Sequence, residues 1–316
     1  MPHKEKELKK FNLKKLGYLL AVIASAFLII VETGFYSGAI GFSPSNSIVK
    51  LFGIPAADTK SEFIEFCDVG QGDCTIIKSG ERCAVIDFGP ADDTDSLYWH
   101  LKELGIAGID FALVTHYHED HLGGLCDIME RMPVENIIIS EDFAEDCDRD
   151  TADRFYELVE TNNPKIIRPE IGMKISVGNA QLEALFQSTL AKEENNRSIA
   201  FKLKFYNTAV LFTGDAESEA EEALINSGAD ITADILKLGH HGSSTSTGEK
   251  LLKAVNPFVA VASCGYNNYY NHPSQEVLER LCAESIKYYR TDLDGNIKVS
   301  FSKTDIYITT ERQEKN

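Results

Sequence analysis

The sequence predicts an α/β sandwich in which two sheets pack together, helices lie outside, and a metal centre sits at one edge. Three observations carry this expectation. Strand-like and helix-like segments alternate through two successive halves of the chain, the pattern of a layered α/β fold. Apolar runs at 111–114, 209–212 and 235–238 each end in residues able to ligate metal. The stretch 115–124, Thr-His-Tyr-His-Glu-Asp-His-Leu-Gly-Gly, places three imidazoles and the Asp120 carboxylate within six positions. Neutral imidazole and carboxylate are the ligands of a catalytic divalent ion.

Taken from its amino terminus, the chain opens with a basic arm. Residues 1–15 carry six Lys against two Glu. Residues 16–31 are apolar apart from Gly17, Tyr18 and Ser25, Glu32 interrupts, and 35–42 is apolar and Gly-rich. The segment 16–42 is expected to be a signal anchor, because Lys on one flank keeps that side cytoplasmic. The rival is a signal peptide cleaved near Ser37-Gly38-Ala39, which would release the protein. An anchored chain is a single-pass membrane protein with its catalytic domain extracytoplasmic. Residues 43–61, with Pro44, Gly53 and Pro55, read as a linker, and 62–316 as the catalytic domain.

The composition narrows the class. An apolar content of 43% with 25% charged residues describes a globular protein with a substantial core. A net charge of -18 excludes a binder that coats phosphates with Lys and Arg. Seven Cys cannot all pair, and no C-x-x-C is present. Cys74, Cys83, Cys264 and Cys282 sit among apolar neighbours and read as buried thiols.

Within the catalytic domain, 62–67 alternates apolar and polar residues and reads as a strand. It runs through a Gly70/Gly72 turn into a strand at 74–78. A third strand, 83–86, ends at Asp87, and 92–104 has helical spacing at Leu97, Leu101 and Leu104. After the His-rich loop, 122–132 is a helix opened by Gly123-Gly124 and closed by Pro133. A strand at 136–139 and a helix at 151–160 follow. Short strands fill 165–187, and a hairpin at 199–212 delivers Thr213-Gly214-Asp215. A helix at 216–226 precedes the buried strand 235–238, which ends in Gly239-His240-His241-Gly242. The last third continues with a strand at 258–262, a helix opened by Pro273, and closing strands through Ile308. His116 and His118 are two apart, so an extended backbone aims both rings to one side. Asp120 and His121 lie where the chain turns into a helix and can face a second ion. His100 reads as structural or exposed.

H-x-H-x-D-H after a strand resembles the signature of the metallo-β-lactamase-fold hydrolases, which implies their αββα sandwich. The set Asp68-Val69-Gly70-Gln71-Gly72-Asp73, the His116 segment, Thr213-Gly214-Asp215, Gly239-His240-His241-Gly242-Ser243, His272-Pro273 and Tyr289-Arg290-Thr291-Asp292 is similar to the hydrolase domain of the ComEC family of competence proteins. That resemblance covers nearly all of 62–302. It implies a nuclease-type, metal-dependent hydrolase acting on DNA. ComEC proteins carry a many-helix membrane channel, whereas this chain has one hydrophobic segment at most, so it resembles the detached hydrolase domain.

The resemblance implies roles by position. His116 and His118 would hold one ion, and Asp120 and His121 the other, with Asp215 bridging. Either His240 or His241 completes the second site. His241 is favoured, leaving His240 near the substrate. Asp120 also suits a proton acceptor, and His272 a general acid. Asp87 is expected to orient a metal-bound His rather than to bind metal. Gln71 and Asp73 are placed at the mouth, and Asn196 and Ser198 against substrate. Two divalent ions, zinc or manganese, are implied. Wider members of the fold have a third His for the first ion, yet no His lies between His121 and His240. Fewer nitrogens favour a harder ion such as manganese there, although intrinsic affinity favours zinc. The substrate is expected to be a phosphodiester, single-stranded DNA foremost. A phosphorylcholine esterase or other cell-wall phosphodiesterase is the alternative enzyme, and a non-enzymatic binding module on the same fold the alternative of another class.

Overall fold

A computed structural model describes residues 62–301 and 306–312, all within the compact unit Ala57–Asn316. The expected basic arm, anchor and linker lie outside these residues. Among the described residues no helix is long and apolar enough to cross a membrane.

The first sheet contains β1 (Glu62–Phe66), β2 (Cys74–Ser79), β3 (Arg82–Phe88), β4 (Ile109–Leu113), β5 (Val134–Ile138) and β6 (Lys165–Ile167). The second contains β7 (Lys174–Val177), β8 (Ala180–Phe186), β9 (Ala200–Phe205), β10 (Thr208–Phe212), β11 (Ile235–Lys237), β12 (Val259–Ala262) and β13 (Lys287–Arg290). The closing strands β14 (Ile297–Phe301) and β15 (Ile306–Thr310) return to the first sheet, whose order is β15-β14-β1-β2-β3-β4-β5-β6. The second sheet runs β13-β12-β11-β10-β9-β8-β7.

Strand periodicity explains the layering. On β3, Ala84 and Ile86 face the other sheet and pack with Phe201, Phe205 and Phe212. Val85, between them, points the other way and joins Leu97, Leu101, Leu122 and Leu125 of the helices. Those residues belong to α1 (Thr94–Glu103) and α2 (Glu119–Arg131), which cover the outer face with α3 (Arg149–Asn162). On the far side α4 (Ser218–Asn226), α5 (Glu249–Val255) and α6 (Gln275–Ala283) cover the second sheet through Leu224, Leu252 and Val277. A short α7 (Thr291–Asp294) follows β13. The order is therefore αββα.

The pairs β3–β4, β4–β5, β10–β11 and β11–β12 are parallel. Their carboxyl ends consequently emerge along common edges, which is where open α/β sheets put their sites. Three local expectations are corrected. Helix α2 starts at Glu119, three residues ahead of Leu122, so Asp120 and His121 occupy its first turn. Acidic side chains suit that end of a helix, and Glu119 also accepts a hydrogen bond from the Ala91 N–H at 2.8 Å. Gly123 and Gly124 therefore lie inside the helix rather than opening it. A Cβ on Gly124 would stand 2.1 Å from the Phe88 carbonyl oxygen, so the glycine is needed for α2 to pack on the end of β3. Finally, Cys282 is exposed, whereas the other six thiols are buried.

Candidate metal centre

Asp87, at the end of β3, takes a left-handed backbone (φ 54°) that turns its carboxylate towards the start of the His-rich loop. There it accepts hydrogen bonds from the Thr115 N–H and hydroxyl, both at 2.8 Å. Its Oδ2 lies 2.9 Å from His121 Nδ1. His121 is thereby held from behind, and its Nε2 faces Asp215 Oδ1 at 3.2 Å. Both of these facing atoms are buried, and neither has a hydrogen-bond partner.

His241 is held in the same manner from the opposite sheet. The sequence after β11 puts His240 (φ 48°) and His241 (φ 54°) consecutively in the left-handed region. That tight turn sends His241 inward while His240 stays partly exposed. His241 Nδ1 lies 3.1 Å from Asp73 Oδ1 and 3.1 Å from the Ser263 carbonyl oxygen. Its Nε2 stands 3.1 Å from Asp120 Oδ2 and 3.5 Å from Asp215 Oδ2. Asp215 thus lies between the Nε2 atoms of two anchored imidazoles. In the His-rich loop, His116 Nε2 and His118 Nδ1 face one another at 3.1 Å.

Ligating atoms of Asp73, His121, Asp215 and His241 lie within 4.8 Å of one another. Asp73, however, engages the rear nitrogen of His241, so the inward-facing set is His121, His241, Asp215 and Asp120. The electrostatics call for a cation. Burial alone would lower the pKa of His241, but Asp215 and Asp73 lift it to about 10. His121 is likewise raised well above its ordinary value, burial being outweighed by Asp215, Asp87 and Asp120. His116 moves the other way, lowered by burial and by His121. Burial would raise Asp215, yet His121 and His241 hold it well below the usual carboxylate range. Asp73, Asp87, Asp120 and Asp215 crowd the two buried imidazoles, and unpartnered buried atoms face inward. The residues present therefore fit a bound metal ion.

The centre opens into a cavity of ≈ 700 Å³ lined by Gln71, His118, Asp120, Asp215, His240, His241 and His272. Glu119, Asp146 and Tyr270 also line it, and sequence reasoning singled out none of them. His272 lies with its ring 5.6 Å from that of His240, and burial together with His241 lowers its pKa to about 4.

Three placements differ from expectation. Asp73 is not at the mouth: it is buried, and Lys237 Nζ stands 2.8 Å from its Oδ1. Burial would raise its pKa, but Lys237 and His241 bring it down to about 2. Ser198 is buried and its hydroxyl accepts the Asp215 N–H at 3.0 Å, so it fixes the Asp215 backbone rather than lining the cavity. Asn196 is also buried, and its Oδ1 accepts the Glu217 N–H at 3.0 Å. In each case the turn that carries the residue points its side chain into the protein.

Sequence reasoning missed three further residues. Lys237 interrupts an otherwise apolar strand, a signal that a partner had to be buried with it. Glu194 accepts the backbone N–H groups of Tyr117 at 2.8 Å and Ala144 at 2.5 Å, bracing the loop between His116 and His118. Glu217 Oε1 stands 3.3 Å from His240 Nδ1. Both Glu residues lie in polar runs without a distinguishing local pattern.

Comparison with known proteins agrees with this geometry. The model of the metallo-beta-lactamase superfamily matches residues 67–266. ComE operon protein 3 of Bacillus subtilis (strain 168) is 28% identical over 270 residues, covering 79% of this chain and 34% of that protein. Competence protein ComA of Neisseria gonorrhoeae is 27% identical over 295 residues, covering 91% of this chain and 39% of that protein. The chain thus spans little more than a third of the length of these two relatives. Among solved structures, the metallo hydrolase Igni18 of Ignicoccus hospitalis KIN4/I superposes with a TM-score of 0.51 at 16% identity, over 76% of this chain and all of that one. Paired sheets, strand-end His and Asp residues and the family match lead to one assignment: this chain belongs to the metallo-beta-lactamase superfamily, with competence proteins of the ComEC type among its homologues.

Proposed function

We propose that this protein is a metal-dependent phosphodiesterase acting on DNA, with two divalent ions as cofactors. The carrying observation is Asp215, set between the Nε2 atoms of two imidazoles whose rear nitrogens are anchored by Asp87 and Asp73. Competence proteins among the relatives support DNA as the substrate.

His121, His241 and Asp120 would hold one ion, and His116 and His118 the other, with Asp215 shared. Bound ions supply Lewis acidity, which acidifies water and neutralises charge on a phosphoryl oxygen. The remaining work belongs to the chain. Asp87 and Asp73 accept from the Nδ1–H groups, fixing the tautomer that leaves each Nε2 lone pair inward. Asp120, at the cavity wall, takes a proton from the attacking water. Of the two imidazoles at the cavity that could protonate a leaving oxygen, His240 beside Glu217 is proposed for the role. Burial and His241 lower the pKa of His272 to about 4, which leaves it without a proton to give at neutral pH.

The first site has two imidazoles and a shared carboxylate, and buried Asn196 is turned away to Glu217. Reconstitution of the metal-free protein with Zn²⁺ or Mn²⁺ tests the reading on bis-p-nitrophenyl phosphate, single-stranded DNA and nitrocefin. Phosphodiester hydrolysis that rises with Mn²⁺ is expected. Turnover of nitrocefin alone would overturn the reading, and full activity with Zn²⁺ that Mn²⁺ does not increase would remove the manganese preference.

The Lys-rich arm ahead of an apolar segment supports a single-pass anchor with the catalytic domain extracytoplasmic. Protease added to intact cells is expected to cut this domain. Complete protection until lysis would show the opposite orientation.

A further inference from the structure

The segment after β12 carries three tyrosines that the hydrolytic centre does not use. Tyr266, Tyr269 and Tyr270 are 71%, 93% and 64% exposed. They stand on an ordered loop. The Asn268 side chain donates to the Gly265 carbonyl at 2.9 Å and the His272 carbonyl at 2.6 Å, and accepts the His272 N–H at 2.8 Å. Tyr270 lines the same cavity as Asp120 and Asp215. Its ring stacks on His272 with centroids 5.6 Å apart and planes 24° apart, while most of the side chain stays exposed. Tyr269 meets Tyr270 edge-on at 6.0 Å.

We propose that Tyr270, backed by His272 and flanked by Tyr269, is a stacking platform for an unpaired base of single-stranded DNA beside the phosphate being cut. The proposal rests on the phosphodiesterase reading and names the side chain that would select single strands. Charge is the deciding argument. The cavity wall includes Glu119, Asp146 and Asp148, and no Lys or Arg is among its described lining residues. A nucleic acid therefore gains little here from phosphate contacts outside the metal centre. An aromatic face binds a base without regard to charge, and every unpaired base offers one. Duplex bases are already stacked on one another and present only their edges. The platform therefore selects single strands, and binding should depend weakly on salt, because few counterions are released.

The test uses the full-length protein and cleavage-resistant phosphorothioate oligomers carrying a fluorescent label. One is oligothymidylate, the second has the same length with abasic sites, and the third is a duplex. By fluorescence anisotropy, oligothymidylate should bind about tenfold or more tightly than the abasic strand. Tyr270→Ala should erase that difference, Tyr270→Phe should keep it, and Tyr307→Ala, on exposed β15, should keep it as well. Equal affinity for thymidylate and abasic strands would overturn the proposal. So would equal weakening of both by Tyr270→Ala, or a duplex bound as tightly as oligothymidylate. Cleavage of ordinary phosphodiester oligomers, followed in parallel, separates the two readings. Base-dependent binding without cleavage would sink the phosphodiesterase reading alone, and cleavage without base-dependent binding would sink the platform alone.

Discussion

Asp120→Asn is expected to lower hydrolysis at saturating metal by at least about a hundredfold while the fold persists. The side chain sits in the first turn of α2, lines the cavity and brings Oδ2 to 3.1 Å from His241 Nε2. Burial alone would raise its pKa, but His121 and His241 hold it well below the usual carboxylate range. It is therefore charged at neutral pH and can both hold a cation and take a proton. Asparagine has nearly the same shape but neither property. Thermal melting should be little changed, and metal content at the His121 side should fall. A variant that retained full turnover would refute the role assigned to Asp120.

Lys237→Met is expected to destabilise the metal-free protein by about 3 kcal/mol, because it leaves the Asp73 carboxylate without its main countercharge. Both side chains are buried, and the ammonium lies 2.8 Å from Asp73 Oδ1 while also donating to the Leu238 carbonyl at 2.9 Å. The double variant Asp73→Asn/Lys237→Met should recover part of the loss, since it buries no unpaired charge. Urea unfolding measures both. Should the single variant lose less than about 1 kcal/mol, the pair does not tie the β1–β2 loop to β11. Asp73→Asn alone is expected to weaken metal retention, because it frees the rear nitrogen of His241.

The residues that face the centre were legible in sequence because their pattern is local. His116, His118, Asp120 and His121 fall within one loop and one helical turn. Asp215 and His241 each follow an apolar strand, so the end of that strand already marks where the side chain emerges. The layered fold was legible for a similar reason: strand alternation and helical spacing are read over a few residues.

Behind those ligands, Asp87 was expected from sequence to orient a metal-bound His, as it does His121, but the partner behind His241 was not legible, since it is made between segments far apart in the chain. Asp73 and His241 are separated by 168 positions, and nothing near Asp73 marks it as the partner of an imidazole rather than a residue of the mouth. Ser198 reaches the Asp215 backbone, and Glu217 reaches His240, only after two loops have been brought side by side. Local pattern alone carried the superfamily resemblance, the two-sheet sandwich and the strand ends at which His and Asp residues gather, whereas the choice between His240 and His241 rests on the left-handed turn that carries them. Only the folded protein shows that Asp73 anchors His241 and that Asn196 and Ser198 turn inward. A buried charge or hydrogen-bonding group takes whatever partner packing brings within about 3 Å, and packing joins segments that sequence spacing does not relate.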